Sequence, residues 1–347
     1  MSEWSVTEPR NLTFDAPVTA LHVRIVNGTV NVVGTEESSA RLEVSEVEGP
    51  PLTVTQENGT LTVAYDDLPW KGFLKWLDRK GWRRSAVVSL AVPASTRVEV
   101  GVIGANAMVS GIDGSAEVKG VTGETTLVGL CGPVRATTVS GSVEAQGVAG
   151  ELRLSSVSGD LTVIEGACSS VKADSVSGSI ILDLDPTSGS TDARLTNVSG
   201  EIAIRLPHPV STEVEANTAS GAVSNAFDDL RVTGQWGAKK ITGRLGGGNG
   251  LLKATTVSGS IALLRRPPAE DEPWDVPRDA PPAKAKDAIP EPRHAPEPHG
   301  PADTPLPSLS KDTPPTHLPP ATTSDTADAS GRHPDGTAGG PTERKGL

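Results

Sequence analysis

From Gly114 the chain repeats every nine residues. The blocks GSAEVKGVT, GETTLVGLC, GPVRATTVS, GSVEAQGVA, GELRLSSVS and GDLTVIEGA stand end to end, each opening on glycine at 114, 123, 132, 141, 150 or 159. Inside the blocks apolar residues recur at every second position, as in Leu152 and Leu154, Leu161 and Val163, or Ile202 and Ile204. A period of two marks a strand whose alternate side chains face opposite sides. Val-Ser-Gly recurs at 139–141, 157–159, 176–178, 198–200 and 257–259, with Ala219-Ser220-Gly221 as a near copy. Glycine after Val-Ser suits a tight corner. Each block therefore reads as one short strand and one corner, and a short fixed period of this kind implies a repeat architecture.

Val-Ser-Gly falls in every second block: 141 to 159 is 18 residues and 159 to 178 is 19. The later intervals are 22, 21 and 38, the last equal to twice 19. A unit of 18–20 residues with two strands is one coil of a parallel β-solenoid, which buries its apolar face only by stacking on its neighbours, at about 4.8 Å per rung. The spacing predicts roughly eight coils between 110 and 264. Antiparallel hairpins favour Asn-Gly or Asp-Gly turns. These occur at Asn27-Gly28, Asn58-Gly59 and Asp113-Gly114, so hairpins are expected only in the N-terminal part. Aromatic residues make up 3% of the chain, in keeping with a narrow interior. The formal charge of −12 argues against the rod as a general nucleic-acid binder.

The fold expected is all-β: a parallel β-solenoid over 12–264 after a flexible N-terminus, 1–11. Residues 12–64 read as a β cap over the open end, where free backbone groups would invite edge pairing. Residues 265–347 hold 19 of the 29 prolines with almost no apolar periodicity, so they are expected to be a disordered, Pro-rich tail. The N-terminus MSEWSVTEPRNLTF lacks the basic start and apolar run of a secretory signal, and no stretch approaches the ~20 apolar residues of a membrane span. A cytoplasmic protein, at most peripheral at the membrane, is expected. Cys131 and Cys168 lie two coils plus one residue apart, about 9.6 Å on this geometry and beyond disulfide reach. Two free, mostly buried thiols are expected.

One segment breaks the pattern. Asp66 to Arg84 reads DDLPWKGFLKWLDRKGWRR, inserted between strands. Apolar residues at 70, 73, 74 and 77 have helical spacing, which predicts a short amphipathic helix over roughly 69–80, with Pro69 in its first turn and Gly81 as its stop. Trp70, Phe73, Trp76 and Leu77 supply its apolar face, with Trp82 just beyond. Lys71, Lys75, Arg79, Lys80, Arg83 and Arg84 face only Asp78, leaving 69–84 locally cationic. Three readings fit: a helix capping the solenoid, an interfacial membrane helix, or a docking site for a protein partner. The candidate contact residues are Trp70, Lys71, Phe73, Lys75, Trp76, Leu77, Arg79, Trp82, Arg83 and Arg84. The partner is an unknown protein or a membrane surface; no nucleic acid is expected.

Chemistry is sparse. Only His22 and His208 lie before the tail, no pair has metal-ligand spacing, and neither cysteine sits in a C-x-x-C pair. No Gly-x-Ser-x-Gly elbow marks a nucleophile. Ser140, Ser158, Ser177, Ser199 and Ser258 read as corner residues bonded to the turn backbone. Gly246–Gly250 lacks the Lys-Ser/Thr of a phosphate loop and reads as a loop between coils. The corners lack the aspartates of calcium-binding β-rolls. Asp183 and Asp185, with Asp192 and Glu201 nearby, form the one acidic cluster, and their alternation places Asp183 and Asp185 on a solvated strand face. No catalytic, cofactor or metal site is expected.

The ladder of Val-Ser-Gly-[Ser/Asp/Glu]-[Ile/Leu/Val] strands, with the opening His-Val-Arg-Ile-Val-Asn-Gly-Thr-Val-Asn-Val-Val-Gly at 22–34, resembles the DUF4097 family of bacterial β-strand-repeat proteins. These carry an adhesin label and are related to "toastrack" domains. The resemblance covers about 15–264, and the insert and tail resemble its actinobacterial branch. It implies a β-solenoid of unestablished function, in some members linked to cell-envelope stress, and no functional residues. The expected role is a non-enzymatic interaction scaffold. The alternatives are a surface adhesin binding carbohydrate or protein, and a carbohydrate-active β-helix enzyme.

Overall fold

The structure is a computed structural model that describes residues 2–65, 84–185 and 189–266. It holds 25 strands and no helix among these residues. The N-terminal strands are β1 (Ser2–Val6), β2 (Arg10–Phe14), β3 (Ala20–Ile25), β4 (Asn27–Thr35), β5 (Ala40–Glu48), β6 (Leu52–Glu57) and β7 (Thr60–Ala64). Next come β8 (Ser85–Pro93), β9 (Arg97–Val102), β10 (Asn106–Ser110), β11 (Ala116–Lys119), β12 (Thr125–Val128), β13 (Val134–Thr138) and β14 (Val143–Gln146). Then follow β15 (Ala149–Ser156), β16 (Leu161–Ser175), β17 (Ile180–Leu184), β18 (Asp192–Asn197), β19 (Ile202–Leu206) and β20 (Thr212–Thr218). The last are β21 (Val223–Asn225), β22 (Leu230–Gln235), β23 (Ala238–Leu245), β24 (Gly250–Thr256) and β25 (Ile261–Arg265).

These strands form two stacks. One runs β9, β11, β13, β15, the second half of β16, β18 and β24; the other runs β10, β12, β14, the first half of β16, β17, β19 and β25. Every pairing in these runs is parallel, so each coil lays one strand on each sheet. Inward residues stack in columns, such as Val98, Ala116, Val134, Leu152, Val171, Ala193 and Leu252 on the first sheet. Val109, Leu127, Ala145, Val163, Leu182, Ile204 and Leu263 face them from the second. All are essentially buried, so the alternation read from the blocks is the alternation of the core.

The order of coils departs from the chain at both ends. The β3/β4 coil lies between the β7/β8 and β9/β10 coils, parallel to both. At the far end the β24/β25 coil lies between β18/β19 and β20/β21, again parallel to both. The interval of 38 residues is therefore not two successive coils. It contains the antiparallel hairpin of β22 and β23, which closes the edge of β20, followed by one coil threaded back inside. The coils from β11 onward number seven, one fewer than the spacing predicts.

Antiparallel strands close the N-terminal end, with β1 on β6 on β7 and β2 on β5 on β8. Residues 2–6 are thus a paired strand with Val6 buried, where a flexible terminus was expected. Within 12–64 only β2, β5 and β6 act as the cap; β3 and β4 belong to the stack. Asn58-Gly59 makes the expected hairpin, whereas Asn27-Gly28 opens a parallel strand. Trp4 packs edge-on against Phe14, with centroids 5.3 Å apart, and Phe227 is buried beside the C-terminal hairpin. Bulky rings thus occupy the closures, where no further rung constrains the space.

Candidate functional site

The Val-Ser-Gly corners lie on one ridge. The Ser158 amide donates to the Val139 carbonyl, Ser177 to Val157, Ser199 to Val176, Ser258 to Val198 and Ser220 to Val257, all at 2.8–2.9 Å. The serine hydroxyls repeat the pattern, Ser158 Oγ to Val139 O at 3.3 Å and Ser258 Oγ to Val198 O at 3.2 Å, as expected of corner residues. A buried Thr or Ser three residues before the glycine closes the turn from inside: Thr138, Ser156 and Thr256 accept the amides of Gly141, Gly159 and Gly259. Close stacking explains the glycine. A Cβ at Gly159 would lie 1.9 Å from the Gly141 carbonyl oxygen, and one at Gly259 equally close to that of Gly200.

The valines of the motif point outward. Val157, Val176, Val198 and Val257 are 43–52% exposed and make an apolar file along the ridge. At the C-terminal end the file meets a groove of about 800 Å³ between the Ala219 and Val257 corners and the β22–β23 hairpin. Trp236, at the hairpin tip, is fully exposed. This apolar surface is not read from periodicity, because Val-Ser-Gly looks like a turn whose valine is half-buried.

The inserted segment leaves the same ridge. Gly104 donates to the Val26 carbonyl and Thr122 to Ile103, continuing the corner ladder toward the N-terminal end. Beside Val26, the Asn27 side chain donates to the Arg84 carbonyl at 3.0 Å. Residues 66–83 thus join β7 to β8 where a regular rung has a four-residue corner, on the rung that lies directly against the N-terminal closure. Their flanks are fixed. Tyr65 is buried, and the Arg84 guanidinium sits 5.5 Å from its ring centroid. Burial pushes the Tyr65 phenol up, against the pull of Arg84. Of the candidate contact residues, Arg84 is half-buried at this junction. Trp70, Lys71, Phe73, Lys75, Trp76, Leu77, Arg79, Trp82 and Arg83, and the helix expected over 69–80, lie outside the described residues, as does the chain from 267 to 347.

The acidic cluster is a correction. Asp183 is buried, not on a solvated face. It lies 3.3 Å from Arg205 Nη1 and 3.6 Å from Arg266 Nη1, and Arg266 also donates to the Leu184 carbonyl. Arg266 thus ties the end of the threaded coil back across β19 to β17. His22 is half-buried with Glu99 at 3.9 Å; burial lowers its pKa more than Glu99 raises it. No group of three or more His, Cys, Asp or Glu among the described residues is placed to hold a metal ion. Both cysteines are free, with Cys168 buried as expected and Cys131 exposed, a second correction: its corner position faces outward. Burial pushes the Cys168 thiol up to about 12. A hydrogen bond with Asp113 and partial desolvation raise that of Cys131. No helix among the described residues is long and apolar enough to cross a membrane.

The family model described as Toastrack DUF4097 matches residues 18–264, from just before the threaded β3/β4 coil to the last strand. The chain belongs to the Toastrack DUF4097 family. Two solved structures are similar to this Toastrack chain. A "putative cell adhesion protein" from Clostridium sporogenes has 14% identity and a TM-score of 0.25, covering 75% of this chain and all of its own. A "putative adhesin" from Parabacteroides merdae has 7% identity and a TM-score of 0.28, covering 74% of this chain and 97% of its own. No curated protein matches this Toastrack chain.

Proposed function

We propose that this Toastrack protein is a non-enzymatic binding scaffold that presents residues 69–84 from its corner ridge to a protein partner or a membrane surface. One observation carries the reading: a Trp-, Lys- and Arg-rich segment stands in place of a four-residue corner, with both flanks fixed at Tyr65 and Arg84. Regular corners show that the turn itself needs four residues, so the other residues serve something besides chain reversal. Tryptophan and arginine are frequent anchors of interfaces, and aromatic and basic residues together suit an anionic membrane surface.

Replacing 66–83 by Val-Ser-Gly tests this. The expected result is an unfolding midpoint within about 4 °C of the parent, equivalent to about 1 kcal/mol, and loss of sedimentation with anionic vesicles or of a partner captured by the full chain. A large fall in midpoint, with no vesicle or partner binding in the parent, would instead make the segment a structural cap.

A further inference from the structure

The outer face of the first sheet carries a straight file of cations. Register sets Arg135 beside Arg153, Arg153 beside Lys172, Lys172 beside Arg194 and Arg194 beside Lys253. All five are exposed. They stand one per rung on β13, β15, β16, β18 and β24, about 19 Å from first to last at the usual strand spacing. Glu117 borders the file at one end and Glu215 at the other. The threaded coil completes it: stacked in chain order, Arg194 would face Glu215 instead of Lys253.

Like charges directly opposite one another destabilise a sheet, so this file costs stability that nothing in the fold requires. Neighbouring acids offset part of it. Glu151 pairs with Arg153, Asp174 with Lys172 at 3.3 Å, and Glu215 with Lys253 at 3.8 Å. Arg135 and Arg194 make no ion pair among the described residues. Asp192, beside the file, accepts the Leu251 amide. Along the other side runs a column of hydroxyls, Thr137, Ser155, Thr196 and Thr255, interrupted only by Asp174. Near Arg135 and Arg153 the face sinks into a cleft of about 340 Å³, also lined by Arg97, Glu117, Pro133 and Glu151.

We infer that this face binds a linear acidic polysaccharide laid along the cation file. A polyuronate carries one carboxylate per ring, and an extended pyranoside advances by nearly one strand spacing per ring. In an extended chain of near two-fold symmetry the carboxylates on one side recur at every second ring, about two strand spacings, so they meet alternate cations of the file. Charge-assisted bonds from Arg and Lys hold the carboxylates, and the hydroxyl column is placed for sugar hydroxyls. Nucleic acid fits less well. Glu151, Asp192 and Asp174 flank the single file and repel a second line of phosphates, and no aromatic side chain among the described residues stands beside the file to stack a base. The inference does not rest on the role proposed for residues 69–84.

The test titrates the full chain with polygalacturonate, with dextran as neutral control and polyphosphate and duplex DNA as other polyanions. The expected result is binding of polygalacturonate that weakens with salt. In K172Q/R194Q it falls about tenfold or more, about 1.4 kcal/mol, at an unfolding midpoint no lower than the parent's. E215Q, which releases Lys253, binds severalfold tighter, so the test stands even if the double variant fails to fold. Absence of binding, equal affinity for dextran, polyphosphate or DNA, or indifference to both sets of substitutions would overturn the inference.

Discussion

Substituting Gly159 by valine is expected to lower the unfolding midpoint by about 10 °C, the equivalent of about 3 kcal/mol. The added Cβ meets the Gly141 carbonyl at 1.9 Å, and that carbonyl is backbone, held between rungs above and below. Relief requires the two rungs to part, which breaks the Ser158-to-Val139 bond and the stacking of Leu154 and Leu161 on their neighbours. The control is Ser158→Ala at the adjacent residue. It removes only the hydroxyl bond at 3.3 Å, exposed to water, and should cost about 0.5–1 kcal/mol. Thermal melts of the two variants separate these cases. Equal, small effects would mean that the corners are not stacked glycine on glycine.

Ending the chain at Asn249 is expected to unfold the C-terminal third while the earlier rungs persist. The missing strands β24 and β25 bury Leu252, Ala254, Ile261 and Leu263 between coils on both sides. Each large aliphatic residue lost from a core costs about 2–5 kcal/mol, so the removal compares with the whole stability of a domain, about 5–15 kcal/mol. Stacked repeats lose stability locally, because each contacts only its neighbours. Limited proteolysis should therefore cut beyond about residue 190 and leave the rungs before it intact, whereas a chain ending at Arg266 resists throughout. If the last coil were instead the terminal rung, the Asn249 truncation would leave 192–225 protected.

The corner ladder was legible because its constraint is local and repeated. Each Val-Ser-Gly states its own geometry, and two blocks per motif fix a two-strand coil. The threading at both ends was not legible. Ile202, Ile261 and Val223 offer nearly the same apolar surface to a neighbouring rung, so no strand's own residues state which coil lies beside it. The hairpin escaped for a related reason: β22 and β23 are mostly exposed strands with few apolar positions, and their length happens to match a coil. Asp183 alternates like a surface residue, yet Arg205 on the next strand of its sheet and Arg266, just past the last strand, cover it. The inserted segment stood out by composition, but its attachment in place of a corner depends on β7 and β8 lying on different sheets. The cation file depends on the threading, since Lys253 joins Arg194 only in three dimensions.

Coil order is tested most directly by disulfide formation along the ridge, in a chain carrying Cys131→Ser. Cys168, buried with its thiol pushed up to about 12, stays unreactive. Adjacent rungs place equivalent Cα atoms about 4.8 Å apart, inside the range a disulfide spans, and alternate rungs about 9.6 Å apart, outside it. Ser199→Cys with Ser258→Cys should oxidise to an intramolecular disulfide, and Ser199→Cys with Ser220→Cys should not. Closure of the second pair and not the first would contradict the threaded stack.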